Sequence, residues 1–314
     1  VFRMLSALFI VLPIFALIFI GWLAGWRGML GPAASAEISR FVVLLALPAL
    51  LFNVVAGARS AELWQPGYIA AFTIASSLSM AVSVIVALRL HGSLADAAIE
   101  GLNAGYPNIG YVGIPLAVMT FGQPGLLPAS IGAIITMCVT FASTIVMVEI
   151  ALHRDVPAGG VVLKVAGRLA RNPILIAPVM AAPFPLLGLA VPPPIDTTMK
   201  LLGAAASPCA LVALGLFFAA RRPSPDKSYG YTAYLVVAKL VVHPALAWFF
   251  GRYVFDLSPF WTSALVLMCA LPSGTGSFML AESYGRDATL SSRTIVITTL
   301  VSIISLALIV GSVG

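Results

Sequence analysis

Two stretches carry most of the chemistry that this sequence offers: GYPNIGYVGIP, from Gly105 to Pro115, and ALPSGTGSF, from Ala270 to Phe278. Each places a proline among glycines and small hydrogen-bonding residues inside an otherwise apolar run. Pro107 and Pro272 remove a backbone donor and clash with the preceding helical turn, while Gly105, Gly110, Gly113, Gly274 and Gly276 let the chain unwind. A helix that restarts after each break, near Tyr111 and near Ser277, presents unpaired amides and the positive end of its dipole. Asn103, Asn108, Tyr111, Ser273, Thr275 and Ser277 add side-chain donors, and neither break contains Asp or Glu. A cation site would need those carboxylates, so the expected ligand is an anion. The chemistry is binding rather than catalysis. The histidines are His91, His153 and His243, with no HExxH, no GxSG and no paired intramembrane aspartates. No cofactor or metal is implied.

The elements that must hold these breaks are membrane helices. Hydrophobic residues make up 61% of the 314 and charged residues 9%, against about 25% charged in soluble domains, so the chain cannot cover an aqueous surface. The net charge of +6 is scattered through short loops and forms no basic helix, which argues against a nucleic-acid partner. Cys138, Cys209 and Cys269 lie within apolar runs without metal-ligand spacing and read as small buried hydrophobes. Leu5 to Gly25 has no small-residue cleavage site and reads as a retained span rather than a signal peptide.

Runs of roughly 20 apolar residues, enough to cross about 30 Å of hydrocarbon, occur ten times: Leu5–Trp26, Ile38–Gly57, Pro66–Leu90, Ala97–Phe121, Leu126–Leu152, Leu163–Leu187, Ile195–Ala220, Tyr229–Val254, Phe260–Tyr284 and Ala288–Gly311. With ten spans, the odd-numbered loops carry twelve Lys and Arg, and the opposite side carries four. The positive-inside rule then places both termini on the non-cytoplasmic side of the inner membrane.

A shift of 160 residues lays Pro13, Pro32 and Pro48 on Pro173, Pro192 and Pro208, and LPALLFNVV on SPCALVALG. Five spans separate the copies, an odd number, so the second half enters upside down. Residues 1–152 and 163–314 then form two inverted five-helix halves joined by a short cytoplasmic linker, 153–162, within one membrane domain. The breaks fall in the fourth span of each half, spans four and nine overall. Unpaired backbone at membrane depth survives only where protein or a water-filled cavity satisfies it. Two broken helices crossing near the midplane would satisfy each other and line such a cavity, as in transporters built from inverted repeats.

Intramembrane ionisable residues are functional hypotheses by default. Lys239 lies about ten residues, or roughly 15 Å at 1.5 Å per residue, inside span eight, with His243 one turn on. Two readings stay open: an anion-attracting or proton-coupling pair, or a structural Lys bonded to carbonyls of a neighbouring helix. Glu149 in span five is either interfacial or a partner for Lys239 in proton relay. Asn53 in span two either binds substrate or bonds a neighbouring helix. Glu282, Arg286 and Arg293 read as a loop-end charge cluster.

The motifs LLALPALLFNVVA, YPNIGYVGIPL, RNPILIAPVM, SPCALVALGL and ALPSGTGSFMLAESYG together resemble the auxin efflux carrier family, which includes plant PIN-type carriers and bacterial malonate transporters. That family sits within the wider bile acid, arsenite and riboflavin transporter group, and the similarity covers all ten spans. The resemblance implies an all-α integral membrane fold of ten transmembrane helices in two inverted repeats, with helices four and nine broken and crossed. It also implies elevator-type alternating access and transport of small organic anions such as malonate, other carboxylates or an indole acid. Pro107 and Pro272 match the two crossover prolines, and Asn108 matches the asparagine that meets the substrate carboxylate. Tyr106 and Ile109 stand where plant carriers place polar residues, and the long central hydrophilic loop shrinks to HRDVPAGGVVLKVAGR. The first difference argues against auxin itself as substrate. The remaining alternatives are an anion channel and a sodium- or proton-coupled carrier of the bile-acid-transporter type. The coupling ion stays open, and a homodimer fits the elevator scheme. Partners are otherwise the anion and membrane lipid.

Overall fold

The computed structural model describes residues 2–31, 33–57, 64–152, 170–220 and 229–313, and every structural statement below concerns these. The expected linker at 153–162 and the expected start of span six at Leu163 lie outside them. The described chain is helical: α1 (Phe2–Trp26), α2 (Ala34–Ala56), α3 (Pro66–His91), α4 (Leu94–Gly105), α5 (109–121), α6 (Gln123–Leu152), α7 (Pro173–Ala181), α8 (Pro183–Leu187), α9 (Pro193–Ala220), α10 (Tyr229–Val254), α11 (Pro259–Cys269), α12 (Gly276–Ser283) and α13 (Thr289–Val313). Six helices, within α2, α3, α6, α9, α10 and α13, are long and apolar enough to cross a membrane. The molecule is a multi-pass, all-α membrane protein. Shorter apolar segments are Phe15–Trp26, Ile176–Leu187 and Pro259–Cys269.

Spans four and nine are interrupted. Span four divides into α4 and α5, with Tyr106 to Asn108 between them. Span nine divides into α11 and α12, with Ala270 to Thr275 between them. Among the described residues, α7 begins where the Asn172 side chain accepts from the Ile174 amide at 3.0 Å and Pro173 occupies the first turn. Asn caps satisfy an orphan donor and Pro loses nothing at that position.

Three prolines are accommodated by local widening, whereas Pro13, Pro178 and Pro208 sit within α-helices that have none. Proline would clash with the carbonyl four residues back, and a π-helical turn moves that carbonyl aside. Such turns occur at Val42–Ala46, Ile109–Gly113 and Ala238–Val242, each two residues ahead of a proline: Pro48, Pro115 and Pro244. Two further π turns, at Thr136–Phe141 and Phe250–Val254, have no such proline.

Helices α1, α2, α7 and α9 pack chiefly on one another, and α3 to α6 with α10 to α13 form a second group. The first group is held by close backbone approach. A Cβ on Gly215 of α9 would lie 2.0 Å from the Ile18 oxygen and 2.6 Å from the Trp22 nitrogen, and one on Gly21 of α1 would lie 2.2 Å from the Val212 oxygen. Small residues let membrane helices meet in this way. Gly215→Ala should therefore force α1 from α9 and cost about 1–3 kcal/mol, the range for overpacking. Gly311→Ala, where a Cβ would meet nothing within 4 Å, is the control. Thermal unfolding in detergent compares the two, and equal melting temperatures would refute the close approach.

Candidate functional site

The two breaks meet. Pro107 and Ser273 form an isolated antiparallel bridge. The Asn108 amide donates to the Pro272 carbonyl at 2.9 Å, and the Gly274 amide donates to the Tyr106 carbonyl at 2.8 Å. Each unwound segment supplies the partners that the other lost, which removes the cost of leaving backbone unpaired at this depth. The crossing is narrow because Tyr106 fills it. Its ring sits where a Cβ on Gly274 (2.5 Å) or Gly276 (2.9 Å) would go, and its hydroxyl donates to the Met137 sulfur at 3.3 Å.

The four half-helix ends at the crossing face two ways. At the C-terminal ends, three carbonyls meet internal donors. Ser79 donates to the Ala104 carbonyl (3.0 Å) and Ser273 to the Asn103 carbonyl (2.7 Å). Lys239 Nζ donates to the Cys269 carbonyl at 2.6 Å. Lys239 Nζ also meets His243 Nδ1 at 3.1 Å, and His243 Nε2 meets Ser76 Oγ at 3.0 Å. The consistent assignment has Lys239 donating to Nδ1 and Nε2–H donating to Ser76. Lys239 and His243 are both fully buried. They sit behind the crossing, among carbonyl and hydroxyl partners.

The N-terminal ends face a cavity between the two helix groups. Its larger arm, about 240 Å³, is walled by Leu50, Leu51 and Val54 of α2, Gly203, Ala204 and Ser207 of α9, Ala133, Thr136 and Met137 of α6, and Pro107, Ile109, Gly110 and Ile114 at the crossing. A smaller arm, about 40 Å³, shares Leu50, Pro107, Ile109, Gly110, Met137 and Ser207 and adds Tyr106, Asn108, Thr275 and Gly276 among others. Among the described residues neither arm is lined by Asp, Glu, Lys, Arg or His. Gly110 is open to the cavity, with nothing within 4 Å of a built Cβ. Asn108 spends its main chain on the fold, its carbonyl accepting from Val112 and Gly113 at 3.1 Å each. Its half-buried side chain lines the smaller arm.

Of the residues expected to form the site, the structure thus brings Pro107, Asn108, Gly110, Thr275 and Gly276 to the cavity. Pro272 contributes its carbonyl to the crossing. Asn103, Ser273 and Ser277 are fully buried and bonded within the protein. The Asn103 amide donates to the Glu100 carbonyl (2.9 Å) and Ser291 (3.1 Å), and its oxygen accepts from Ser277 at 2.7 Å. These three side chains tie α4 to α12 and α13 instead of facing the cavity. Tyr111 belongs to the first turn of α5. Asn53 lies beside Gly203, whose built Cβ would stand 3.0 Å from Asn53 Nδ2, and it does not line either arm. Glu149 accepts from the Tyr284 hydroxyl at 2.8 Å.

The loop-end charges are placed separately. Arg286 pairs with Asp96 and donates to Ser93 at 3.2 Å, and the hydrogen bonds it donates to the Asp96 carboxylate raise the Arg286 pKa above its ordinary value. Glu282 accepts from Ser35 at 3.0 Å, linking α12 to α2, and Arg293 lies over the Tyr229 ring at 4.5 Å. Thr136 escaped the sequence reading altogether. It is 2% exposed and contributes to the wall of the larger arm, while its Oγ1 is buried away from the cavity without a hydrogen-bond partner. The only local sign of it is a threonine in an apolar span, which does not tell which way the side chain turns.

The cavity between the two helix groups is largely apolar and, among the described residues, free of charged side chains. The family described as "Membrane transport protein" matches residues 7–155 and 160–310, nearly the whole chain. The chain belongs to the auxin efflux carrier family. It is a transport protein and not an enzyme. Its relatives include the protein named "Putative malonate transporter" from Rhizobium meliloti (strain 1021), 31% identical over 298 residues that span 94% of this chain and 92% of the relative. The "Uncharacterized transporter YfdV" of Escherichia coli (strain K12) is 26% identical over 87% of both chains. An "Uncharacterized transporter" of Methanothermobacter thermautotrophicus is 27% identical over 95% of both. Family membership bears on the whole transporter, breaks included, since the matched segments contain both.

Proposed function

We propose that the transporter moves a small organic anion, malonate or a similar short carboxylate, across the bacterial inner membrane by alternating access. The site is the cavity at the crossing, and Asn108, Gly110, Tyr111, Thr275 and Gly276 supply its donors. The observation that carries this reading is the orientation of the half-helix ends: the C-terminal carbonyls are bonded behind the crossing, while Gly110, Thr275 and Gly276 at the N-terminal ends line the cavity. A helix N-terminus attracts negative charge. The larger arm, at about 240 Å³, falls below the roughly 300–1,000 Å³ of drug-sized pockets, which suits a ligand of few heavy atoms. The name borne by the Rhizobium meliloti relative supports a carboxylate.

The same reading takes the chain as ten spans in two inverted halves, 1–152 and 163–314. The group α1, α2, α7 and α9 is the scaffold, against which the other group slides as an elevator with a proton or sodium ion as coupling partner. The cavity walls belong to both groups, so a relative shift would expose it to one side and then the other. Ser35 of α2, bonded to Glu282 of α12, is one contact that such a shift must break.

Transport into proteoliposomes provides the test. Short carboxylates should compete for uptake and organic amines of the same size should not. Uptake of an organic cation, unaffected by carboxylates, would contradict the assignment.

A further inference from the structure

We infer that the groove between the end of α10, the start of α11 and the end of α13 holds one phospholipid with a primary-amine, zwitterionic headgroup, its phosphate on Arg252 and its ammonium on Asp256. The groove shares no lining residue with either arm of the cavity at the crossing, so the inference is independent of what is transported.

The groove, about 630 Å³, changes character with depth. Arg252, Asp256 and Ser258 line its mouth, in the last turn of α10 and the short connection to α11. Its floor is apolar: Trp248 lies one turn back along α10, Val266 about two turns into α11, and Ile309 one turn before the end of α13. Because α10 and α13 are both long and apolar enough to span, their neighbouring ends mark the level at which hydrocarbon gives way to water. Trp248 and Tyr253 stand exposed there, edge to face at 5.2 Å, as aromatic side chains do at membrane interfaces. A charged mouth at that level over an apolar floor matches the headgroup, glycerol and chain of a lipid in order.

The charges select the headgroup. Arg252 Nη1 and Asp256 Oδ1 are 3.0 Å apart, with side chains 58% and 88% exposed. An ion pair this exposed contributes little to stability, so both groups are available to a ligand that offers the complementary charges side by side. Among the described residues no other charged side chain lines the groove. A headgroup with a phosphate alone sets its charge beside the Asp256 carboxylate, and a quaternary amine has no N–H to give that carboxylate. The main chain fixes Asp256 at the mouth. It has a left-handed φ of 43°, and the amides on either side of it are engaged, Phe255 donating to the Phe250 carbonyl at 2.9 Å and Leu257 to the Gly251 carbonyl at 2.8 Å. Thr262 ties the same turn, its hydroxyl donating to the Leu257 carbonyl at 3.1 Å. Half-buried Ser263 adds a hydroxyl to the wall for phosphate or glycerol oxygens.

Native mass spectrometry of the purified full chain tests this, with delipidated protein in detergent offered an equimolar mixture of phosphatidylethanolamine, phosphatidylcholine and phosphatidylglycerol carrying the same acyl chains. One retained lipid is expected, with phosphatidylethanolamine favoured roughly fivefold over either competitor, the equivalent of one solvent-exposed charge-assisted hydrogen bond. Asp256→Asn should abolish that preference while keeping the turn, because asparagine also adopts a left-handed φ readily. Arg252→Gln should weaken retention of all three lipids. Ser263→Leu, which fills the groove and leaves both charges in place, should remove the retained lipid and the rise in melting temperature that added phosphatidylethanolamine gives the wild type. A preference for phosphatidylglycerol in the wild type would overturn the inference in favour of an anionic-lipid site. Equal retention of phosphatidylcholine, with Asp256→Asn silent, would overturn it by showing that Asp256 reads no ammonium. No retained lipid, or retention that survives Ser263→Leu, would also overturn it, since the groove would then hold none.

Discussion

Asn108→Ala should weaken binding of a short carboxylate ten- to hundredfold while leaving the protein folded. The fold needs only the main chain of Asn108: its amide on the Pro272 carbonyl and its carbonyl under the Val112 and Gly113 amides. Alanine supplies both. The side chain lines the smaller arm, and a hydrogen bond to a charged group is worth about 1.5–3 kcal/mol, which is the stated range of affinity. Titration calorimetry on wild type and mutant, with melting temperature as the control for folding, decides the matter. Unchanged affinity in well-folded Asn108→Ala would mean that the crossing serves packing and that the ligand binds elsewhere.

The second large effect is expected at Lys239, and it should appear first in stability. Its Nζ is the recorded donor to the Cys269 carbonyl, the end of α11, and it also holds His243. Lys239→Met keeps most of the volume and removes both bonds, leaving a buried carbonyl and a buried ring nitrogen without this partner. Each such loss costs about 1–3 kcal/mol, so the mutant should melt well below wild type in detergent. Carboxylate binding should weaken with it, because the carbonyls released at the end of α11 put negative potential behind the crossing. Lys239→Arg, which retains donors but not the compact head, should recover part of the stability. A wild-type melting temperature combined with a lost pH dependence of uptake would instead make Lys239 a coupling residue with no structural duty.

Residue pattern alone established the class of this protein and pointed to an anionic ligand. Mean composition rules out an aqueous surface, and period and length identify the apolar helices. The breaks at Pro107 and Pro272 are legible because proline and glycine act on the backbone locally, through a missing donor and a missing Cβ. The absence of Asp and Glu from both breaks likewise needs no coordinates. The orientation of each donor was not legible. Asn103, Asn108, Ser273, Thr275 and Ser277 look alike in sequence, yet Asn103, Ser273 and Ser277 tie helices together and Asn108 and Thr275 face the cavity. That division depends on the rotation of each half-helix about its axis, which is set where Pro107 pairs with Ser273, across 166 residues of chain (273 − 107). The same holds for Tyr106 against Gly274, for Lys239 on the Cys269 carbonyl and for Thr136 on the cavity wall. Local rules decide where a helix must break. Only the packing of distant segments decides which of its polar groups are consumed by the fold and which are left for a ligand.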